Sequence, residues 1–139
     1  MTVPRRIAVG FDGSPDAVAA LRWAAGLASA TGAELWVVHA VGMLEHAGAS
    51  PSAGLEEQAR RFAAEAGSPP ELVRWRAVDG EPCSVLRREA AGATGADLLV
   101  VGTRGTGAHR RELLGSTSLE LAEQAPVPVV IVPASPGAG

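Results

Sequence analysis

The sequence predicts an α/β domain built on an open, five-stranded parallel sheet with helices on both faces, a Rossmann-like arrangement. Its 139 residues suit one domain, and we expect residues 1–139 to form a single unit. Five short apolar runs alternate with helical patterns in the order β-α-β-α-β-α-β-α-β, which is typical of a parallel sheet. The first, fourth and fifth runs are apolar throughout, as expected of strands covered on both faces.

The boundaries of these elements follow from the apolar runs and from helix start and stop signals. Strands are predicted over residues 6–11, 34–41, 71–78, 97–101 and 127–132. The first helix begins after Ser14, because serine caps free amides, Pro15 suits the first helical position and Asp16 suits the positive end of the dipole. It ends at Thr31 and Gly32, and further helices are predicted over residues 55–66, 82–93 and 116–125. Residues 42–54 are predicted to form a mobile loop and residues 133–139 a flexible tail.

Composition excludes several classes of function. The net charge of -3 argues against a nucleic-acid-binding protein. All 12 basic residues are arginines, so neither a lysine-containing phosphate loop nor Schiff-base chemistry is available. No apolar run approaches the roughly 20 residues that cross a bilayer, and the first residues lack the apolar segment of a signal peptide. A single cysteine, Cys83, cannot form an intrachain disulfide, so we expect a cytoplasmic protein that binds neither nucleic acid nor membrane.

A glycine-rich loop after the fourth predicted strand carries the main functional signal. Open parallel sheets bind ligands beyond the carboxyl ends of their strands, at the point where strand order reverses. The loop has the spacing Gly102-x2-Gly105-x9-Gly115-Ser116, and glycines let a backbone approach a phosphate closely. Gly115 and Ser116 open the last predicted helix, whose free amides and dipole favour an anion. The hydroxyls of Ser116 and Ser118 can add donors, so the loop can hold a polyphosphate without lysine.

The glycine spacing resembles the nucleotide-binding signature of the universal stress protein family. Three further blocks resemble that family in the same order: IAVGFDGS at residues 7–14, VVHA at 37–40 and APVPVVIV at 125–132. The resemblance extends from Arg5 to Pro133. It implies an adenine nucleotide alpha hydrolase-like fold and membership of the ATP-binding branch, whose members act as nucleotide-dependent regulators in stress responses.

The resemblance also implies a ligand, a set of contacts and a partner. The ligand is ATP, with Mg²⁺ or Mn²⁺ as an open question. Ala40 is smaller than the valine usual at its position, which loosens the expected packing on adenine. A homodimer is implied along the last strand, from Val127 to Val132, and pairing with a second copy would also cover an apolar edge. The nucleotide-binding positions are Gly10, Asp12, Ala40, Val101, Gly102, Thr103, Arg104, Gly105, Gly107, Gly115, Ser116, Thr117 and Ser118.

Several residues near these loops have two interpretations. Asp12 either stabilises the turn before Ser14 or contacts the ribose or a metal ion. His39 is expected to be a core or sheet-edge residue, and it lacks partners at metal-ligand spacing, so a metal site is not predicted. Cys83 lies near a helix start that favours a thiolate, but it has no identifiable partner and is not assigned a catalytic role. Four loop residues either neutralise phosphates or are solvated: Arg104, His109, Arg110 and Arg111.

Three functions remain open: a nucleotide-dependent regulator, a slow ATPase and a nucleotide-free dimeric scaffold. No residue is assigned to catalysis. Lysine is absent, and the first carboxylate after Gly102 is that of Glu112, so His109 is the only candidate base close to the expected phosphates. Efficient hydrolysis is therefore not expected.

Overall fold

The computed structural model describes residues 3–42, 54–103 and 115–134 of the chain. Within these ranges the elements alternate between strand and helix, apart from a short 3-10 turn at Pro70–Leu72. The strands are β1 (Arg6–Gly10), β2 (Glu34–Val41), β3 (Val73–Asp79), β4 (Leu98–Gly102) and β5 (Val129–Val132). The helices are α1 (Pro15–Thr31), α2 (Leu55–Glu65), α3 (Pro82–Glu89) and α4 (Ser116–Gln124).

The strands form one five-stranded sheet in the order β3-β2-β1-β4-β5. Every neighbouring pair is parallel, and β1 pairs with β2 on one side and with β4 on the other. The chain thus builds outward from β1 to β3 and then crosses back to place β4 on the opposite side. The predicted fold class is confirmed, and strand order reverses between β1 and β4.

Two apolar layers cover the two faces of the sheet. On one face, Ile7, Val9 and Val100 pack with buried residues of α1 and α2. On the other face, Ala8 and Leu99 pack with buried residues of α3 and α4. Because successive side chains of a strand point to opposite faces, a strand covered on both sides must be apolar at every position. This explains the continuous apolar runs of β1 and β4.

Helix α1 has the start and end that its sequence predicts. The Ser14 hydroxyl accepts a hydrogen bond from the Ala17 amide at 3.2 Å, and Pro15 occupies the first helical position. Gly32 ends the helix in the left-handed conformation, with φ of 74°. Among the residues that the structure describes, no helix is long and apolar enough to cross a membrane.

Three predicted boundaries differ from the structure by two residues or more. Strand β3 begins at Val73, because residues 70–72 form the 3-10 turn. Helix α3 ends at Glu89 instead of residue 93, since the Glu89 carbonyl accepts from the Ala96 amide across a turn at Gly92, where φ is 78°. Strand β5 begins at Val129, after the two prolines that precede it. The predicted mobile loop lies outside the described residues over 43–53, and the predicted tail does so over 135–139.

Candidate functional site

The carboxyl ends of β1 and β4 lie side by side and form the crevice at which strand order reverses. The register pairs Ile7 with Leu98 and Val9 with Val100, so Gly10 and Val101 follow at the same edge. The loop after β1 and the residues after β4 therefore flank one space, with the start of α4 beside them. The sequence predicted this juxtaposition, and such an edge is where doubly wound sheets bind ligands.

The loop after β1 is held by its own side chains. The Asp12 carboxylate accepts a hydrogen bond from the Ser14 amide at 2.9 Å, which is the turn-stabilising role considered for it. Asp12 is exposed to solvent at the crevice, so the same carboxylate can also face a ligand. Gly13 adopts φ of 83°, and a Cβ there would lie 2.8 Å from Leu55 Cδ2, so α2 packs directly on this turn.

The residues after β4 are held against the start of α1. A Cβ built on Gly102 would lie 2.7 Å from the carbonyl oxygen of Asp16, so only glycine fits this approach. The Thr103 hydroxyl donates a hydrogen bond to the Asp16 carboxylate at 2.6 Å. The sequence assigned Asp16 only to the helix start. Its contact with Thr103 spans 87 positions, and the one available signal was the acidic residue in the first turn of α1.

The start of α4 closes the other side of the crevice. The Gly115 amide donates to the Thr103 carbonyl, and the Ser118 hydroxyl donates to the Gly102 carbonyl at 2.7 Å. Ser118 is 2% exposed, so its hydroxyl holds the loop instead of acting as the free phosphate donor that was expected. Ser116 is exposed and Thr117 is half-buried. Both remain at the mouth of the crevice.

Helix α4 differs from α1 and α3 in how its first amides are satisfied. Ser14 caps α1, and the Glu81 carboxylate accepts from the Cys83 and Ser84 amides at the start of α3. The residue before α4 is Gly115, and no side-chain cap occurs there among the described residues. A helix start of this kind leaves amide donors and a positive dipole end directed at the crevice.

Two predicted positions have packing roles in addition to their place at the crevice. A Cβ on Gly10 would lie 3.1 Å from Leu86 Cδ1, so this glycine lets α3 approach the end of β1. Ala40 pairs with Val78 near the end of β2, is half-buried and packs on the face that α3 and α4 cover. Arg104, Gly105 and Gly107 lie outside the described residues, as do His109, Arg110 and Arg111.

His39 is a core residue, as expected. It is buried, its Nδ1 lies 3.0 Å from the Phe11 carbonyl oxygen, and its ring stacks on Trp75 with centroids 5.9 Å apart. Phe11 precedes Asp12, so His39 supports the loop after β1 from beneath. Among the described residues, no group of three acidic, histidine or cysteine side chains is placed to hold a metal ion.

The expectation of a favoured thiolate at Cys83 is wrong. Burial raises the pKa of the Cys83 thiol, and the neighbouring Glu120 and Glu81 carboxylates raise it further, against a smaller opposite effect of Arg87. The side chain is 1% exposed and lies between α3 and α4. A helix start favours a thiolate only where water reaches the sulfur, and here the packing excludes it.

The sheet order defines a Rossmann-like α/β protein in which the ends of β1 and β4 lie at the edge where such sheets generally bind ligands. Residues 4–133 match the model of the universal stress protein family. A universal stress protein of Thermus aquaticus is 36% identical over 135 residues, covering 92% of this chain and 98% of that protein. The chain therefore belongs to the universal stress protein family, as the sequence resemblance implied.

The chain spans about half the length of another relative. A universal stress protein of Mycobacterium tuberculosis is 34% identical over 137 residues, covering 93% of this chain and 48% of that protein. Among solved structures, a universal stress protein in complex with cAMP is 30% identical with a TM-score of 0.79, covering 96% of this chain and 100% of that one. The universal stress protein UspA from Lactobacillus plantarum has a TM-score of 0.80 at 25% identity, covering 91% and 96%.

Proposed function

We propose that this chain binds ATP in the crevice between β1 and β4 and acts as a nucleotide-dependent regulator in stress responses. The phosphates contact the glycine loop and the first amides of α4, and the adenosine extends across Gly10 and Asp12 toward Ala40. The observation that carries the proposal is the start of α4, which meets the crevice at Gly115 with no side-chain cap among the described residues. Such amides are preorganised for an anion.

The contacts around Gly102 and Thr103 support a rigid phosphate site. The Ser118 hydroxyl and the Gly115 amide hold these two residues to α4, and Asp16 holds them to α1. Residues that are already held in this way lose little further conformational entropy when a ligand binds beside them. In this proposal Ser118 contributes through its backbone amide, since its hydroxyl is already used as a donor.

A second candidate ligand is cyclic AMP, because a family member 30% identical to this chain was solved in complex with it. The two nucleotides share adenine and ribose but differ in charge and in the number of phosphates. ATP is preferred here because the glycine loop runs 12 residues from Thr103 to Leu114, more than a single cyclic phosphate needs. Binding without efficient hydrolysis is expected, as no lysine is available and Glu112 is the first carboxylate after Gly102.

The proposal includes a homodimer formed along β5. Strands β3 and β5 are the two edges of the sheet. Strand β3 has Arg74 and Arg76, which discourage pairing, whereas β5 has the uncharged sequence VVIV. Because Leu99 donates to the Pro128 carbonyl, alternation along a parallel ladder directs the Val129 and Ile131 amides toward the open edge. A second β5 can pair there.

Titration calorimetry with two variants at the start of α4 tests the proposed nucleotide site. Ser116→Pro removes one amide, and α1 and α3 already have proline at their first position, so the helix should tolerate the change. Loss of one amide-phosphate hydrogen bond should weaken ATP binding about 10- to 150-fold, or about 1.5–3 kcal/mol. Gly115→Glu places a carboxylate where a phosphate is expected and should abolish binding.

The matched control is Gly26→Glu on the exposed side of α1, where an added Cβ meets no atom within 4 Å. It adds the same charge away from the crevice and should leave ATP affinity unchanged. Titration of cyclic AMP into the same proteins distinguishes the two nucleotides. If the nucleotide-free wild type binds neither, the nucleotide proposal fails and a dimeric scaffold becomes the better description. If Ser116→Pro binds ATP as the wild type does, the phosphates do not contact the start of α4.

A further inference from the structure

The carboxylate of Asp16 is buried beside the crevice, and the proposed ligand contacts do not include it. Asp16 belongs to the first turn of α1, where an acidic residue normally faces solvent and the helix dipole. Here it is only 9% exposed. Burial of a carboxylate is costly unless hydrogen bonds compensate for it, and the Asp16 carboxylate accepts a hydrogen bond from the Thr103 hydroxyl, with 2.6 Å between the oxygens.

Gly102 and Thr103, the first two residues of the glycine loop, contact α1 on one side and α4 on the other. On one side, the Asp16 carboxylate accepts a hydrogen bond from the Thr103 side chain. The backbone of Asp16 also lies so close to Gly102 that a Cβ on Gly102 would not fit. On the other side, the Ser118 hydroxyl donates to the Gly102 carbonyl, and the Gly115 amide donates to the Thr103 carbonyl. Gly102 and Thr103 therefore link the start of α1 to the start of α4.

We infer that Asp16 is a positioning residue for nucleotide binding, which acts through Thr103. Its carboxylate fixes Thr103, and Thr103 in turn fixes the Gly115 amide at the point where α4 meets the crevice. The inference rests on the proposed function, because it concerns the affinity of that site. It assigns Asp16 no contact with the ligand. A carboxylate beside phosphates would repel them, and its hydrogen bond to Thr103 instead turns it toward the protein.

The alternative is that Asp16 only stabilises α1 through the helix dipole. The two interpretations differ in what Thr103 does. If the dipole is the whole effect, removing the Thr103 hydroxyl changes neither nucleotide affinity nor the start of α4. If Asp16 acts through Thr103, removing the Thr103 hydroxyl weakens nucleotide affinity, and removing both partners costs less than the sum of the two single losses.

Four variants separate these interpretations: Asp16→Ala, Thr103→Val, the double variant and Thr103→Ser. ATP affinity is measured by calorimetry, and exchange of the Gly115 amide is measured on the nucleotide-free protein. Asp16→Ala and Thr103→Val should each weaken ATP binding about tenfold and speed Gly115 exchange by a similar factor. The double variant should lose less affinity than the two single losses combined, and Thr103→Ser should recover most of the affinity because it keeps the hydroxyl.

Thr31→Val is the matched control, because it makes the same change from threonine to valine at the far end of α1. The hydroxyl that it removes donates a hydrogen bond to the Leu27 carbonyl. It should change neither ATP affinity nor Gly115 exchange. Unchanged ATP affinity in Thr103→Val, or additive losses in the double variant, would overturn the inference and leave the proposed function intact. If the wild type binds no nucleotide, the proposed function fails and this inference fails with it. If Asp16→Ala does not fold, the comparison of Thr103→Val with Thr103→Ser still decides.

Discussion

Replacing Gly102 with alanine tests how closely the end of β4 approaches the start of α1. The added Cβ would lie 2.7 Å from the Asp16 carbonyl oxygen and 2.8 Å from both its carbonyl carbon and its Cβ. Two of these three atoms are backbone, so no rotamer change relieves the contact. The two segments must separate by about 0.7 Å to reach the 3.4 Å at which ordinary contact begins. Overpacking of this kind costs about 1–3 kcal/mol.

Urea unfolding of Gly102→Ala and Gly26→Ala provides a matched comparison. Gly26 lies within α1, and a Cβ there meets no atom within 4 Å. Gly26→Ala should therefore stabilise the protein by about 0.5–1 kcal/mol through helix propensity. Gly102→Ala should lower the free energy of unfolding by about 1–3 kcal/mol and the melting temperature by roughly 3–12 °C. If Gly102→Ala is at least as stable as the wild type while Gly26→Ala is stabilised as expected, the close approach of β4 to α1 is refuted.

Three further predictions concern the sheet edge, the cysteine and a helix cap. Ile131→Pro removes an outward-facing amide of β5 and should convert a dimer to a monomer in sedimentation equilibrium; a wild-type monomer at every concentration would exclude the dimer. The raised pKa of Cys83 should make its thiol react at least about tenfold slower with a disulfide reagent in the native than in the unfolded protein, and equal rates would contradict its burial. Glu81→Ala should cost about 0.5–2 kcal/mol at pH 7 in urea unfolding. Burial alone would raise the pKa of Glu81, but hydrogen bonds from Cys83 and Ser84, with Arg87, hold it below its usual 4.5. Because the folded-state pKa is lowered, the stabilisation is complete above the usual value and is lost as pH falls through the lowered one. The gap between wild type and Glu81→Ala should therefore narrow at pH 3, and an unchanged gap would contradict this role.

Local signals in the sequence predicted the elements well. Strands β1 and β4 were recognisable because both of their faces are buried, which leaves no polar position in the run. The start of α1 was recognisable because Ser14 caps the helix through a partner only three positions away. Boundaries were missed where a distant contact decided them. Helix α3 ends early because the Glu89 carbonyl binds the Ala96 amide instead of continuing the helical pattern.

The candidate site was predictable in outline but not in its internal contacts. The spacing of Gly102, Gly115 and Ser116 indicated a phosphate loop, since glycine and free helix amides are local features. The roles of Asp16 and Ser118 depend on which elements become neighbours, because their side chains bind residues 87 and 16 positions away. The state of Cys83 also depends on which elements become neighbours. Its position at a helix start favours a thiolate, but the packing of α3 against α4 excludes water and raises the pKa of the thiol.

The sequence by itself determined the alternation of strands and helices, the apolar faces and the glycine spacing. These are properties of neighbouring residues, and hydrophobic periodicity states which side chains are buried. It does not state against what they are buried. Only the tertiary structure decided the strand order β3-β2-β1-β4-β5, which brings the ends of β1 and β4 together. That order also places Asp16, at the start of α1, within hydrogen-bond distance of Thr103. The sequence could not show this contact, because a hydrogen bond depends on distance in space and not along the chain.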